Sequence, residues 1–184
     1  MKTKRVLLPL FAAAAVLVGM TACKPPAKED KPPVPKAIGM LPKIGVAPKW
    51  SLKDLEGKVV SSDSLKGKVV VLDFWATWCP PCRAEIPGYV ELQKQYGKDG
   101  LVIVGASADE AGPAVVKEFA AKMGINYTML MADEAISSAF GGVEALPTTF
   151  LIDRNGQIRD RKVGMEEKAE YEQKIVAVLK ENAS

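Results

Sequence analysis

The 184-residue chain contains no histidine and only three cysteines, Cys23, Cys79 and Cys82. Without histidine it cannot build a Ser-His-Asp triad or a Cys-His protease dyad from its own residues. A structural zinc site usually takes four Cys or His ligands, more than this chain can supply. No G-x-G-x-x-G fingerprint or flavin signature is present, so no resident cofactor is expected and any electrons must come from another molecule. Long apolar runs are equally scarce. Residues 6–18 form one, interrupted by Pro9, and it is too short for a typical spanning helix.

That run follows Lys2, Lys4 and Arg5 and is soon succeeded by polar sequence, the pattern of a secretory signal over residues 1–22. Small residues then precede Cys23, in a pattern similar to a bacterial lipobox with Met20 in place of the commoner leucine. Cys23 is therefore the expected lipidation site and membrane anchor; the alternative is ordinary cleavage that leaves a free thiol. Removing residues 1–22 takes away three positive charges, so the formal charge falls from +3 to 0. A neutral mature chain offers no electrostatic argument for binding nucleic acid. Residues 23–48 carry seven prolines among lysines and read as a semi-rigid tether, with disordered filler as the alternative; the later part, Ile38 to Val46, is a candidate to pack against the domain. A single domain of residues 49–184 follows.

The sequence Trp78-Cys79-Pro80-Pro81-Cys82 comes directly after the β-branched, apolar stretch 69–76, which reads as a buried strand. A C-x-x-C pair closes too short a loop to be an effective structural staple. Just past a buried strand in an αβ context, it reads instead as a redox-active dithiol. Pro80 and Pro81 suit the first turn of a helix, where amide protons have no intrahelical partner. They also remove two donors that would otherwise stabilise a Cys79 thiolate.

Short strands are predicted at 50–52 and 58–61, and a helix from the prolines towards Tyr96 that Pro87 kinks. Residues 101–106 read as a second buried strand, and Val115, Val116, Phe119 and Met123 mark a helix. A strand near 127–130, a short helix at 134–140, a hairpin turning at Asn155-Gly156 and a closing amphipathic helix complete the pattern. These elements predict an α/β fold: a central mixed sheet flanked by helices, with an N-terminal hairpin.

Two segments carry a resemblance: residues 73–87, Asp-Phe-Trp-Ala-Thr-Trp-Cys-Pro-Pro-Cys-Arg-Ala-Glu-Ile-Pro, and 145–153, Ala-Leu-Pro-Thr-Thr-Phe-Leu-Ile-Asp. Together they resemble the thioredoxin superfamily, and more closely the membrane-tethered envelope oxidoreductases of the TlpA, ResA and CcmG type. The resemblance implies a thioredoxin-like fold with a β-α insertion from Ala111 to about Phe140, and with Cys79 as exposed nucleophile and Cys82 as buried resolving thiol. It implies a cis Pro147, with Leu146, Thr148, Trp78, Pro80 and Pro81 forming the substrate-facing surface. Asp73 matches the buried proton acceptor of thioredoxin, and Glu85 a glutamate that the envelope subgroup carries near its dithiol. Each carboxylate has an alternative, Asp73 as a satisfied structural group and Glu85 as a solvated helix residue. Arg83, Asp109 and Asp133 read as a solvated face.

The function implied is a membrane-anchored protein thiol–disulfide oxidoreductase of the cell envelope, acting as a reductant, with cytochrome c maturation as one setting. Its partners would be protein disulfides and a membrane electron-donor protein. Lys24 stands where some bacteria use aspartate to retain lipoproteins at the inner membrane, which favours the outer one. A disulfide oxidant or isomerase and a copper(I) carrier stay open as alternatives. A peroxidase of the peroxiredoxin kind is disfavoured, because Thr77 lies two residues before Cys79 rather than three.

Overall fold

A computed structural model describes residues 39–181. Its centre is β4, Val69–Trp75, buried at every position. Such a strand needs partners on both edges and cover on both faces. It pairs in parallel with β5, Leu101–Ser107, and antiparallel with β7, Thr148–Ile152. Adding β1 (Gly45–Val46), β6 (Thr128–Met131) and β8 (Gln157–Val163) gives a six-stranded mixed sheet in the order β1-β8-β7-β4-β5-β6. A separate hairpin joins β2, Ser51–Lys53, to β3, Val59–Ser61. This is a thioredoxin-like fold, with the hairpin that the sequence pattern predicts and the helix-containing insertion that the resemblance implies.

Alternation along β4 divides the core. Val69 and Val71 pack with Tyr89, Leu92 and Tyr96 of α1 (Pro80–Tyr96) and with Tyr171, Ile175 and Val178 of α4 (Lys168–Lys180). Val70, Leu72 and Phe74 face the other way, onto Trp50, Leu52, Phe150 and Phe140, and onto Ile136 of α3 (Glu134–Ala139). Each fully buried aliphatic side chain of this kind contributes about 1.5–3 kcal/mol. A third cluster caps the end of β4, where Trp75, Ala76, Cys79, Cys82 and Ile86 meet Met129 and Val116 of α2 (Pro113–Met123). The helix α1 runs through Pro87 without a break in its span, although that residue has no amide proton to donate.

The tether expected over 23–48 overlaps the sheet at its end. Ile44 and Ala47 donate their amides to Ile158 and Gly156 at 2.8 Å, which makes β1 the outermost strand. Buried Arg159 reinforces this: it donates to the carbonyls of Leu41 and Pro42 and pairs with Asp153 and Glu181. Because β7 runs antiparallel to both β4 and β8, Ile158 is level with Val70, at the start of β4. The chain thus enters the sheet at the end opposite the dithiol. The signal segment, Cys23 and most of the tether lie outside the described residues. No helix among the described residues is long and apolar enough to cross a membrane.

Candidate active site

Cys79 and Cys82 are joined in a disulfide, with their Cα atoms 5.3 Å apart. Cys79 is the N-cap of α1, its extended backbone (φ −87°, ψ 107°) turning the chain from the strand into the helix. With prolines at the first two helical positions, the Cys82 amide is the first donor left, and it points at Cys79 Sγ from 3.3 Å. In this closed form Cys79 is 3% exposed and Cys82 2%, so the nucleophile expected to be exposed is covered. The cover comes from packing at the end of β4, where both sulfur-bearing residues join the Trp75, Ile86 and Leu146 cluster. The two cysteines still differ in access. Cys79 lines a groove of about 640 Å³ with Trp78, Pro80, Phe74, Ala145 and Leu146, whereas Cys82 does not.

Trp78 is 66% exposed beside that groove, an apolar surface available to another molecule. The Leu146–Pro147 peptide bond is cis, and Leu146 packs with the cysteines. Pro147 is buried. Thr148 is buried in the sheet, its hydroxyl donating to the Ala145 carbonyl at 2.7 Å. Pro80 is exposed on the rim and Pro81 partly so.

Asp73 sits on the α1 side of β4, 5% exposed. Thr149 Oγ1 donates to its Oδ1 at 2.8 Å. Burial pushes its carboxyl up to about 7, against the lowering effect of the Thr149 hydrogen bond; the Glu85 charge raises it further and Lys162 lowers it. Glu85 is not a solvated helix residue. Its side chain is 7% exposed and forms an ion pair with equally buried Lys162 of β8. The pairing keeps the carboxylate inside, since an unpaired charge there would be costly.

Asp109 also departs from the solvated face expected of it. It is 5% exposed and accepts from the Thr77 amide at 2.9 Å, the Thr77 hydroxyl at 2.5 Å and the Ser107 hydroxyl at 2.7 Å. It anchors the loop that carries Trp78 and Cys79 to the end of β5. Asp133 is the N-cap of α3, its Oδ1 accepting from the Ile136 amide at 2.9 Å. Arg83 stays exposed, stacked over the Phe119 ring at 5.6 Å. The residues that sequence reasoning passed over are Thr77, Tyr89, Thr149 and Lys162. Only Lys162 left a trace, as a charge in a strand destined for the sheet.

A closable dithiol at a helix N-terminus, packed against the residue before a cis-proline in a thioredoxin-like sheet that also buries a carboxylate, can exchange two electrons with an external disulfide or dithiol. Comparison with known proteins supports that class. The chain belongs to the AhpC/TSA family, whose profile matches residues 45–161. It is 40% identical to the thioredoxin-like protein YneN of Bacillus subtilis (strain 168) over 130 residues, 70% of this chain and 76% of the relative. The thiol-disulfide oxidoreductase ResA of Bacillus thuringiensis (strain Al Hakam) is 38% identical over 126 residues, 68% of this chain and 72% of the relative. Among solved structures, a thiol:disulfide interchange protein of the thioredoxin family from Chlorobium tepidum TLS superposes with a TM-score of 0.68 at 38% identity. That match covers 73% of this chain and 96% of the other. The chain is a thiol–disulfide oxidoreductase.

Proposed function

We propose that the protein is a lipid-anchored reductant of protein disulfides in the bacterial cell envelope, tethered through Cys23. The observation that carries the assignment of roles is the asymmetry of the pair: Cys79 lines the open groove and Cys82 lies behind it. Cys79, as thiolate, attacks one sulfur of a partner disulfide; a new S–S bond forms and the partner's other sulfur leaves as a thiolate and takes up a proton. Cys82 then gives its proton to the Asp73 carboxylate and attacks Cys79. This closes the Cys79–Cys82 disulfide and releases the second partner thiolate, so two electrons have passed to the partner. A carboxyl with its pKa near 7 suits this transfer, because it is present in both protonation states at neutral pH. Trp78, Pro80 and Leu146 provide the apolar surface against which the partner segment rests, with Pro81, Pro147 and Thr148 behind them.

Two features support the reducing direction. Pro80 and Pro81 leave the Cys82 amide as the backbone donor to Cys79 Sγ, so the thiolate receives less help than in a strong oxidant. The resemblance to envelope reductants points the same way, with apocytochrome disulfides as a substrate class and a membrane electron-donor protein restoring the dithiol. The outer membrane is favoured for the anchor by Lys24. A Cys82→Ser variant expressed in the envelope should accumulate mixed disulfides on Cys79 that Cys79→Ser does not form. A reduction potential near −120 mV, that of a strong oxidant, would overturn the reducing direction and favour an oxidant or isomerase. Tight copper(I) binding without exchange activity would favour the carrier.

A further inference from the structure

Behind the dithiol, a chain of hydrogen bonds links Asp73 to a buried ion pair. Lys162 Nζ, whose side chain is 7% exposed, pairs with Glu85 Oε1 and also donates to Tyr89 OH at 3.2 Å. Tyr89 OH lies 3.4 Å from Thr149 Oγ1, and Thr149 Oγ1 donates to Asp73 Oδ1 at 2.8 Å. A threonine hydroxyl has a single proton. With that proton on Asp73, Tyr89 must be the donor in its contact with Thr149, while its own oxygen accepts from Lys162. Every proton in the chain therefore points from Lys162 towards Asp73. Burial pushes the Tyr89 hydroxyl well above its ordinary range, which keeps it a donor at neutral pH. Aligned donors ending in a cation favour the ionised form of the group they converge on.

Glu85 acts in the opposite sense. Its Oε1 accepts from Lys162 and from the Glu166 amide at 3.2 Å. Its buried Oε2 has no hydrogen-bond partner among the described residues, and Glu85 lines a cleft between α1 and the start of α4 together with Glu166 and Tyr171. Other titratable groups close in on Asp73 from each element around it. Besides Glu85 and Tyr89, α1 carries Cys82 one turn earlier; α4 brings Tyr171, the segment before β6 brings Tyr127, and β8 brings Lys162. Asp160, Glu166 and Lys174 lie farther out, around Tyr171. The three tyrosines are all pushed upward by burial and stay neutral while Asp73 titrates. Glu85 and Lys162 are left as the opposed charges acting on it.

We propose that Lys162, balanced by Glu85, is a positioning residue that sets the pH at which Asp73 accepts the Cys82 proton. This rests on the reading of Asp73 as the base for Cys82. The pair acts through Asp73 and the Tyr89–Thr149 chain, moving no electrons itself. A purely structural ion pair would change stability on removal but would not move a titration in opposite directions from its two ends.

The test is the pH dependence of mixed-disulfide resolution, followed by rapid mixing of the reduced protein with a model protein disulfide. The wild-type rate should inflect near pH 7, where Asp73 titrates. Lys162→Met should move the inflection up and Glu85→Gln should move it down, each by more than about half a pH unit. The Lys162→Met/Glu85→Gln double variant should inflect above Glu85→Gln. Lys162→Met alone leaves a carboxylate unpaired in the core and can fail to fold, but the double variant leaves no charge at the pair and so keeps Lys162 testable. Asp73→Asn should abolish the inflection. If it persists in Asp73→Asn, the base reading fails. If Asp73→Asn abolishes it but Glu85→Gln and the double variant inflect at the wild-type pH, or both single variants shift it the same way, the positioning role fails and the base reading stands.

Discussion

Replacing Asp73 by asparagine should stabilise the disulfide-closed protein, and by an amount that grows with pH. Asparagine is nearly isosteric and keeps an oxygen to accept the 2.8 Å hydrogen bond from Thr149. It removes a carboxyl whose pKa is raised by burial from 3.8 to about 7. In the unfolded chain this carboxyl loses its proton near pH 4, while the folded protein holds the proton until about pH 7. Between those values the native state binds more protons than the unfolded one, so wild-type stability falls as pH rises. At 1.36 kcal/mol per unit, the deficit is about 1.7 kcal/mol at pH 5 and roughly 4 kcal/mol at pH 7 and above. Asp73→Asn lacks that dependence. Urea unfolding of the oxidised proteins at pH 5, 6, 7 and 8, followed by tryptophan fluorescence, should show a stability difference that opens across this window and levels off above pH 7. A difference constant between pH 5 and 8 would refute the reasoning, because it would mean that the buried carboxyl titrates alike in both states.

Asp109→Ala should cost about 3 kcal/mol, since three donors from Thr77 and Ser107 lose a charged, buried acceptor; denaturant midpoints measure this, and a loss under 0.5 kcal/mol would show that the loop before Cys79 is held by other contacts. Trp78→Ala should leave stability within about 0.5 kcal/mol, because the ring is 66% exposed. It should nonetheless slow exchange with a protein disulfide several-fold more than exchange with a small disulfide such as oxidised dithiothreitol. Equal effects on both would deny Trp78 a role in partner contact.

The site combines a local device with a distant one. The local device is the Cys79 N-cap and its proline-filled first turn, all within four residues. The distant one draws Asp73, Thr149 and Lys162 from the three successive strands β4, β7 and β8, and Tyr89 from α1. Burying two carboxylates and one ammonium behind a redox pair is costly unless each is hydrogen-bonded, and here the hydrogen bonds run in one connected chain. Burial above all pushes the Asp73 carboxyl up to about 7, with Glu85 raising it further and Thr149 and Lys162 holding it down.

Much of this protein is determined by short-range pattern. The uninterrupted apolar run 69–72 can only be a strand covered on both faces, Asn155-Gly156 can close a tight hairpin between β7 and β8, and Pro80 can open a helix but not continue a strand. Those signals rest on backbone sterics and solvent avoidance, which neighbours in sequence suffice to express. The cysteine spacing points to a redox-active dithiol, and the lack of histidine removes the protease and structural-zinc readings. Tertiary structure decided what a charge does once it is placed. Asp109 looks like any acid after a strand, and becomes an anchor only because Thr77 comes to it from 32 residues away. Lys162 belongs to a charged stretch, Arg159 to Lys162, that suggests a solvent-facing strand. A register shift between Leu151 and Ile152 interrupts regular pairing with β8, and both Arg159 and Lys162 end in the interior. Cys79, exposed by analogy, is covered because Leu146 returns from 67 residues later to pack against it. Burial and ion pairing depend on partners brought together by the sheet, and local sequence carries no record of their distance.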